Sequence, residues 1–401
     1  KIHTHYDNLK VARNAPIEVI RAAYKSLSHK HHPDRNLDNQ TESTRIMSLI
    51  NTSYEVLSDT EKRRQHLFNL SQEALRPYFP EPLVLQGIFT IIKKLYGMSI
   101  EELKGVDIWH KDVKCYCIVD EHNEVRGYIY TDLFARANKR SGAWMDSMQS
   151  RRYLGNGHIQ VPIASLTCNF AKASGNKPAM LSHEEVITLF HEFGHCLHHV
   201  LTQVGYLGAS GINGVEWDAV ELPSQFFENW CWDAQALALI TSHVDTGAPL
   251  PPELFKQLIA AKNFQSAMGV LRQMEFSLFD FRIHHEYTAN QATLVTDILK
   301  DVRSKTNILP QALYNRFQNS FSHIFGGGYA AGYYSYSWAE VLSSDAFSRF
   351  EEEGIFNPKT GHDFLHHILE VGSSKNAAET YRAFRGRDAT VDALLRHNGI
   401  Q

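Results

Sequence analysis

Two segments near the N-terminus carry apolar side chains at helical spacing. The apolar positions are Ile17, Ile20, Tyr24 and Leu27 in the first segment, and Met47, Ile50, Tyr54 and Leu57 in the second. The first pattern stops at His32-Pro33-Asp34, because proline disfavours helical geometry in the residue before it. The second covers about residues 42–58. The pattern predicts two antiparallel helices joined by a polar loop.

The strongest helical pattern begins at residue 183 and runs to about residue 202. Ser182 and Glu185 have the spacing of a capping box at its start. Its apolar stripe consists of Val186, Phe190, Phe193, Leu197, Val200 and Leu201. His191 and His195 are four residues apart, so they share one face of the helix, and that face points away from the apolar stripe. We therefore expect one side of this helix in the core and two imidazoles on the other.

In a smaller part of the chain, apolar and polar residues alternate as they do in β-strands. Residues 114–120 and 125–130 alternate around Glu121-His122-Asn123 and predict a hairpin, and residues 161–168 predict a further strand. Residues 252–397 are largely helical by pattern. The predicted fold class is mostly α with a small β-sheet, whose edge would allow an extended peptide to add as a strand.

Composition and charge narrow the function classes. The 401 residues carry a net charge of −4, which gives no reason to propose nucleic acid as a partner, and no apolar run has the length of a membrane span. Five scattered cysteines and no recognisable leader favour a reducing cytosol, so we expect a cytoplasmic protein. The first 66 residues hold 11 basic and 8 acidic residues, against 29 and 36 in the remainder. This asymmetry suggests two modules.

The chemistry predicted for the strong helix is metal binding. In His191-Glu192-Phe193-Gly194-His195, two imidazoles can bind one zinc ion, and Glu192 lies where a carboxylate can take a proton from metal-bound water. The alternative is an exposed polar face in a histidine-rich chain. Gly194 lowers helix propensity, which indicates close backbone packing beside the histidines.

A catalytic zinc site needs a third protein ligand and leaves one position for water. Downstream of the helix, the acidic candidates are Glu216, Asp218 and Glu221, and spacing alone does not choose among them. Asp218 could instead orient a ligand histidine. Pro223 indicates a helix start or a kink just after Glu221.

A segment rich in glycine and tyrosine, residues 326–336, is the second candidate for chemistry. Glycines favour a mobile loop, and tyrosine hydroxyls can donate hydrogen bonds to an oxyanion. The alternative is a glycine-kinked element that packs aromatic rings. The residues alone do not decide between the two.

The zinc helix and its surroundings resemble the thimet oligopeptidase family, nearest to the bacterial oligopeptidase A branch. The matching stretches are residues 75–80, 142–146, 191–195, 218–225 and 384–387. The resemblance implies a zincin-like catalytic region over residues 67–401 that hydrolyses short peptides. It further implies that His191, His195 and Glu221 bind one Zn²⁺ and that Glu192 is the general base. Tyr329 and Tyr336 are then expected to stabilise the tetrahedral intermediate, and His323 to contact the substrate, with Tyr333 and Tyr334 as packing residues.

Residues 1–66 resemble a different family, the J-domains of DnaJ-type co-chaperones. The resemblance rests on residues 5–9, on His32-Pro33-Asp34 and on residues 51–59. It implies that His32, Pro33 and Asp34 dock on a DnaK-type chaperone. The N-terminal helical region of the peptidase family is expected to be missing, with the J-domain in its place. An alternative function is therefore a J-domain co-chaperone with an inactive peptidase half.

Overall fold

The protein is mainly helical, with one five-stranded sheet, in a computed structural model. The structure describes residues 4–13, 15–36, 40–68, 71–173, 175–289, 291, 293–308, 311–312 and 314–400. The helices are α1 (His5–Leu9), α2 (Ile17–His31), α3 (Gln40–Ser58), α4 (Thr60–Phe68), α5 (Gln72–Leu75), α6 (Glu81–Tyr96), α7 (His183–Val200), α8 (Trp217–Val220), α9 (Leu222–Glu228), α10 (Ala234–Ile240), α11 (Pro252–Lys262), α12 (Ser266–Glu286), α13 (Leu294–Thr306), α14 (Ser322–Phe325), α15 (Ser335–Glu353), α16 (Pro358–Phe364), α17 (Ala377–Arg385) and α18 (Asp392–His397). The strands are β1 (Ser99–Leu103), β2 (Lys114–Val119), β3 (Val125–Phe134), β4 (Trp144–Gln149), β5 (Arg152–Tyr153), β6 (Ile159–Gln160) and β7 (Ile163–Phe170).

The chain divides into two compact units. The first contains residues 1–74, 252–264 and 308–311, and the second contains residues 75–251, 265–307 and 312–401. Among the helices that the structure describes, none has the length and hydropathy that a bilayer-spanning segment needs.

The first unit is built around the predicted helical pair. Helices α2 and α3 pack together through the predicted stripes, and the rings of Tyr24 and Tyr54 stack with their centroids 4.0 Å apart. Helices α1 and α4 complete this unit by packing against the pair. Arg63 of α4 is buried and donates to the backbone oxygens of Ala15, at 2.6 Å, and Arg13, at 3.0 Å. The guanidinium thereby joins α4 to the turn before α2.

The second unit contains a mixed sheet with the strand order β1-β2-β3-β7-β4. The predicted hairpin is confirmed as β2 and β3, which pair antiparallel, while β3 and β7 are parallel. The third predicted strand, residues 161–168, is shifted by two residues and is observed as β7 (Ile163–Phe170). Strands β1 and β4 at the two edges were not predicted, because their half-exposed side chains alternate poorly. The coarse prediction, mostly helical with a small sheet, is confirmed.

Helix α7 lies against this sheet and carries the predicted site. Its whole apolar stripe is buried, with exposures of 0 to 1%. Behind it, α9, α15 and α16 meet in an aromatic cluster. Phe226 of α9 stacks on Phe364 of α16, with ring centroids 3.9 Å apart, and Trp230, just after α9, packs edge-on against Phe350 of α15. The core therefore holds α7 and α9 side by side, and both helices contribute to the site.

Candidate metal centre

Helix α7 is fixed at its start by the capping box that the sequence predicts. Ser182 accepts from the backbone N–H of Glu185 at 3.2 Å, and the Glu185 carboxylate accepts from the backbone N–H of Ser182 at 2.7 Å. Two turns later the imidazoles of His191 and His195 lie on one face, with ring centroids 4.9 Å apart. The helix thus holds both histidines without help from a loop.

Glu221 comes from the junction between α8 and α9. The residue lies at the start of α9, with Pro223 in the first turn, as the sequence indicates. Helix α7 approaches this turn so closely that a Cβ on Gly194 would lie 2.5 Å from the Pro223 carbonyl oxygen and 2.5 Å from the Ser224 Cα. The prediction of close backbone packing at Gly194 is therefore confirmed. Without a side chain, Gly194 permits the close approach of the turn that carries Glu221.

One carboxylate oxygen of Glu221 faces both imidazoles. Glu221 Oε2 lies 3.3 Å from His191 Nε2 and 3.1 Å from His195 Nε2. The potential ligand atoms of these three residues all lie within 4.8 Å of one another. Two imidazole nitrogens and one carboxylate oxygen are a donor set that suits a catalytic zinc ion. The residues present therefore fit the metal that the sequence predicts.

The charges of the three candidate ligands are coupled. Burial acts to raise the pKa of Glu221, but His195 and His191 outweigh it and hold that pKa well below its usual range. Burial acts to lower the pKa of His191, and its hydrogen bonds to Glu221 and Glu228 outweigh burial and raise the pKa well above its usual range. A carboxylate therefore lies ready for a cation, and any cation that binds here must displace a proton from His191.

The residue that orients His191 was missed in the sequence analysis. His191 Nδ1 lies 2.6 Å from Glu228 Oε1, which leaves Nε2 directed at Glu221. Glu228 follows Glu221 by seven residues, two turns along α9, and this spacing was the available signal. Asp218, the residue considered for this role, instead accepts from the Tyr334 hydroxyl. Glu216 accepts from Asn376 Nδ2 at 2.9 Å, so neither acid takes part in the cluster.

Glu192 is on α7 beside both histidines. It is 5% exposed, and burial raises the pKa of its carboxyl above the usual range, although His191 and His195 act in the opposite direction. A carboxyl whose pKa moves towards neutrality both accepts and returns a proton more readily near pH 7. This position and this environment suit the general-base role that the resemblance implies for Glu192.

The glycine-tyrosine segment brings two tyrosines to the cluster. The Tyr329 hydroxyl donates to Glu221 Oε1 at 2.7 Å, and the rings of Tyr329 and Tyr336 stack with their centroids 4.9 Å apart. Burial and the charge of Glu221 raise the pKa of both phenols, so both remain protonated donors at neutral pH. Tyr333 is a core residue and Tyr334 stacks on Phe281, which agrees with the packing role expected of them.

His323 is exposed, and its ring lies at the side of the tyrosine pair. Its centroid is 6.3 Å from that of Tyr329 and 6.4 Å from that of Tyr336.

In the first unit, His32, Pro33 and Asp34 occupy the turn between α2 and α3, where His32 Nδ1 accepts from the backbone N–H of Asp34 at 3.3 Å. The structure thus gathers His191, Glu192, His195, Glu221, Tyr329, Tyr336 and His323 around one centre, and places the other three residues in the separate unit.

Comparison with known proteins identifies the family of this chain. The sequence profile of peptidase family M3 matches residues 25–400. The chain belongs to this family. The match begins within residues 1–66, and the comparisons give no support for a chaperone module there.

The family relatives include enzymes named oligopeptidase A. The chain is 55% identical over 341 residues to oligopeptidase A of Haemophilus influenzae and 53% identical over 342 residues to that of Escherichia coli, in each case covering 85% of this chain and 50% of the relative. It is 42% identical to the organellar oligopeptidase A of Arabidopsis thaliana, over 85% of this chain and 44% of the relative. The chain therefore spans about half the length of the curated relatives that it matches.

Proposed function

We propose that this M3 family member is a zinc-dependent metalloendopeptidase, similar to oligopeptidase A, that hydrolyses short peptides in the cytoplasm. The observation that carries the proposal is the convergence of His191, His195 and Glu221 beside the buried Glu192. The three residues would hold one zinc ion per chain. When bound, zinc supplies Lewis-acid chemistry that activates a water molecule.

The protein's own groups account for the proton transfers. Glu192 accepts a proton from the attacking water and later returns it to the leaving amine, which is the two-way role that a raised pKa favours. Tyr329 and Tyr336 donate hydrogen bonds to the oxygen on which negative charge develops. Tyr329 now donates to Glu221, so its hydroxyl must turn from that carboxylate to the oxyanion during the reaction.

The substrate is proposed to bind along the edge of the sheet. Strand β4 is an edge strand that pairs with β7, and it lies beside α7, where His199 Nε2 is 3.1 Å from Ser147 Oγ and 2.9 Å from the Gln149 backbone oxygen. An extended peptide can add to such an edge through main-chain hydrogen bonds. This position would lay the scissile bond along the helix that carries Glu192.

Removal of zinc is expected to abolish peptide cleavage, and one equivalent of added zinc is expected to restore it. The physical reason is that the three protein ligands would leave one coordination position of the zinc ion for the water molecule that it activates. Zinc content per chain and hydrolysis of a quenched fluorescent peptide would be measured in parallel. Cleavage that survives complete removal of zinc would contradict the proposal. If the protein binds one zinc ion per chain and cleaves no peptide, only the metal-binding part of the proposal would stand.

The tyrosine pair gives a prediction that separates catalysis from binding. Tyr329→Phe and Tyr336→Phe are each expected to lower kcat by roughly 10²–10³-fold with a small change in KM, because one donor to the oxyanion is lost. Steady-state kinetics on one peptide would measure this. Tyr206→Phe, which removes an exposed hydroxyl elsewhere in the same unit, is the matched control. A fall in affinity with unchanged kcat would assign the tyrosines to ground-state binding instead.

As a second function, we propose that residues 1–66 act as a J-domain towards a DnaK-type chaperone. The helical pair α2 and α3, with His32, Pro33 and Asp34 at the turn between them, supports this proposal. The expected result is stimulation of the chaperone's ATPase by the full chain and its loss in His32→Gln. An ATPase rate that the chain leaves unchanged would exclude this function without affecting the peptidase proposal.

A further inference from the structure

The two tyrosines of the candidate metal centre flank a tight series of turns between α14 and α15. Within these turns the backbone N–H of Gly332 donates to the Tyr329 oxygen at 2.9 Å, and that of Tyr336 donates to the Tyr333 oxygen at 3.4 Å. Ala331 adopts the left-handed conformation, with a φ of 54°. This conformation is costly for a residue that has a Cβ, and it persists where the surrounding structure holds it.

A buried carboxylate of α12 accepts hydrogen bonds from two backbone N–H groups of these turns. Asp280 Oδ1 accepts from the N–H of Ala331 at 2.9 Å, and Asp280 Oδ2 accepts from the N–H of Tyr333, also at 2.9 Å. Asp280 is 0% exposed. The N–H of Gly332, between these two, is the one that donates to Tyr329. One carboxylate therefore holds the backbone on both sides of Gly332, including the strained residue.

The Asp280 carboxylate is itself held in place. His284, one turn later on α12, has its Nδ1 2.9 Å from Asp280 Oδ1. Phe279, which precedes Asp280, and Ile283 belong to a core cluster that also includes Tyr333. The Tyr333 ring thus packs in the same core as the helix whose carboxylate accepts its N–H. Packing and hydrogen bonding together fix this part of the turns against α12.

The proposed reaction requires a backbone that stays fixed beneath the two tyrosine rings. Tyr329 donates to Glu221 in this structure, and its hydroxyl turns to the oxyanion during the reaction proposed above. A donor is effective only in a narrow range of positions, and a misplacement of about 1 Å can cost roughly 10²-fold in rate. The side chain of Tyr329 must therefore move while the backbone between Tyr329 and Tyr336 does not.

We propose that Asp280 is a positioning residue for the tyrosine pair. It holds the backbone of Ala331 and Tyr333, so that the hydroxyls of Tyr329 and Tyr336 reach the oxygen on which negative charge develops. The inference rests on the peptidase function proposed above. It gives α12, which supplies none of the candidate metal ligands, a part in catalysis without contact to the substrate.

Asp280→Asn is the first test. Asparagine has the shape of aspartate, but it keeps one acceptor oxygen and turns an NH₂ donor towards the other backbone N–H. We expect kcat for peptide hydrolysis to fall by roughly tenfold to a hundredfold, with KM within about threefold of the native value and with native zinc content. Asp297→Asn, which changes an exposed carboxylate on α13, is the matched control and should keep the native kcat. A native kcat in Asp280→Asn, or a change in KM alone, would overturn the proposal.

A double-mutant cycle gives a result that a merely structural role would not produce. In the native protein, Tyr336→Phe is expected to lower kcat by roughly 10²–10³-fold. If Asp280 acts through the tyrosines, Asp280→Asn has already lost part of this effect. Adding Tyr336→Phe to Asp280→Asn is then expected to cost about tenfold less than it costs in the native protein. Fully additive effects would show that Asp280 stabilises the fold without positioning the tyrosines.

A milder variant keeps the inference testable if Asp280→Asn does not fold. His284→Ala is an exposed substitution that removes the side chain next to Asp280 Oδ1. It is expected to lower kcat by roughly twofold to tenfold, the range of one hydrogen bond, with KM unchanged. Native kcat in this variant would contradict the inference in that case.

Hydrogen exchange separates failure of this inference from failure of the peptidase proposal. The amides of residues 331 and 333 are expected to exchange slowly in the native protein and at least about tenfold faster in Asp280→Asn, whereas those of α7 should not change. If the native protein cleaves no peptide, faster exchange at these two amides would still support the hold of Asp280 on the turns. Equal exchange in the two proteins would overturn it, whether or not peptides are cleaved.

Discussion

Replacement of Glu192 by glutamine is expected to lower kcat for peptide hydrolysis by on the order of 10²–10⁴-fold while zinc stays bound. Glutamine has the shape of glutamate, but it cannot accept the proton of the attacking water. The side chain is 5% exposed, so bulk water is poorly placed to substitute for the missing base. His191, His195 and Glu221 keep their positions in this variant, and metal analysis should therefore find the zinc content of the native protein.

A second effect of the same substitution concerns stability. Burial raises the pKa of Glu192, so in the zinc-free protein the ionised carboxylate destabilises the fold at pH values above its unfolded pKa. Glu192→Gln removes that cost, and the zinc-free variant is expected to unfold at the same temperature as the native protein or higher. Glu184→Gln, an exposed glutamate on the same helix, is the matched control for both measurements. Native activity in Glu192→Gln would require a different base.

The sequence predicted the structure best where a single helix contains both the buried apolar residues and the candidate metal ligands. Helix α7 could be predicted with its cap, its buried stripe and its two histidines, because capping and periodicity are local properties. The choice among Glu216, Asp218 and Glu221 was not local. It depends on how α9 approaches α7, and only the resemblance to a family indicated the answer before the structure did.

Features that depend on contacts between segments far apart in the chain were not predicted, because the sequence patterns are local. Glu228 reaches His191 across the α7–α9 contact, although the two residues are 37 positions apart in the chain. The first unit includes residues 252–264, a segment that no local pattern associates with the N-terminal helices. A cleft that Gln225 and Gln273 line arises from four helices together, α9, α12, α14 and α15. Nothing in the neighbourhood of either glutamine along the sequence distinguishes it.

The second prediction with a large expected effect concerns Gly194→Ala, a substitution at the contact between α7 and α9. Helix propensity alone predicts that alanine stabilises α7 by about 1 kcal/mol. The structure predicts the opposite sign, because the new Cβ would lie 2.5 Å from two backbone atoms, the Pro223 oxygen and the Ser224 Cα. Backbone atoms cannot rotate away as a side chain can. We expect a loss of about 1–3 kcal/mol in the free energy of unfolding, the range of overpacked cores.

The same clash should reach the metal centre, because its relief requires α7 and α9 to separate, and the candidate ligands lie on both sides of this contact. Metal ligands tolerate displacements of only about 0.2 Å, so zinc affinity in Gly194→Ala is expected to fall together with stability. Gly269→Ala is the matched control: Gly269 lies inside α12 with nothing within 4 Å of its added Cβ, and there propensity alone should act. Denaturant unfolding and zinc titration of both variants measure the contrast. If Gly194→Ala gained stability as Gly269→Ala does and bound zinc normally, the glycine would not be what sets the approach of Glu221 to the two histidines.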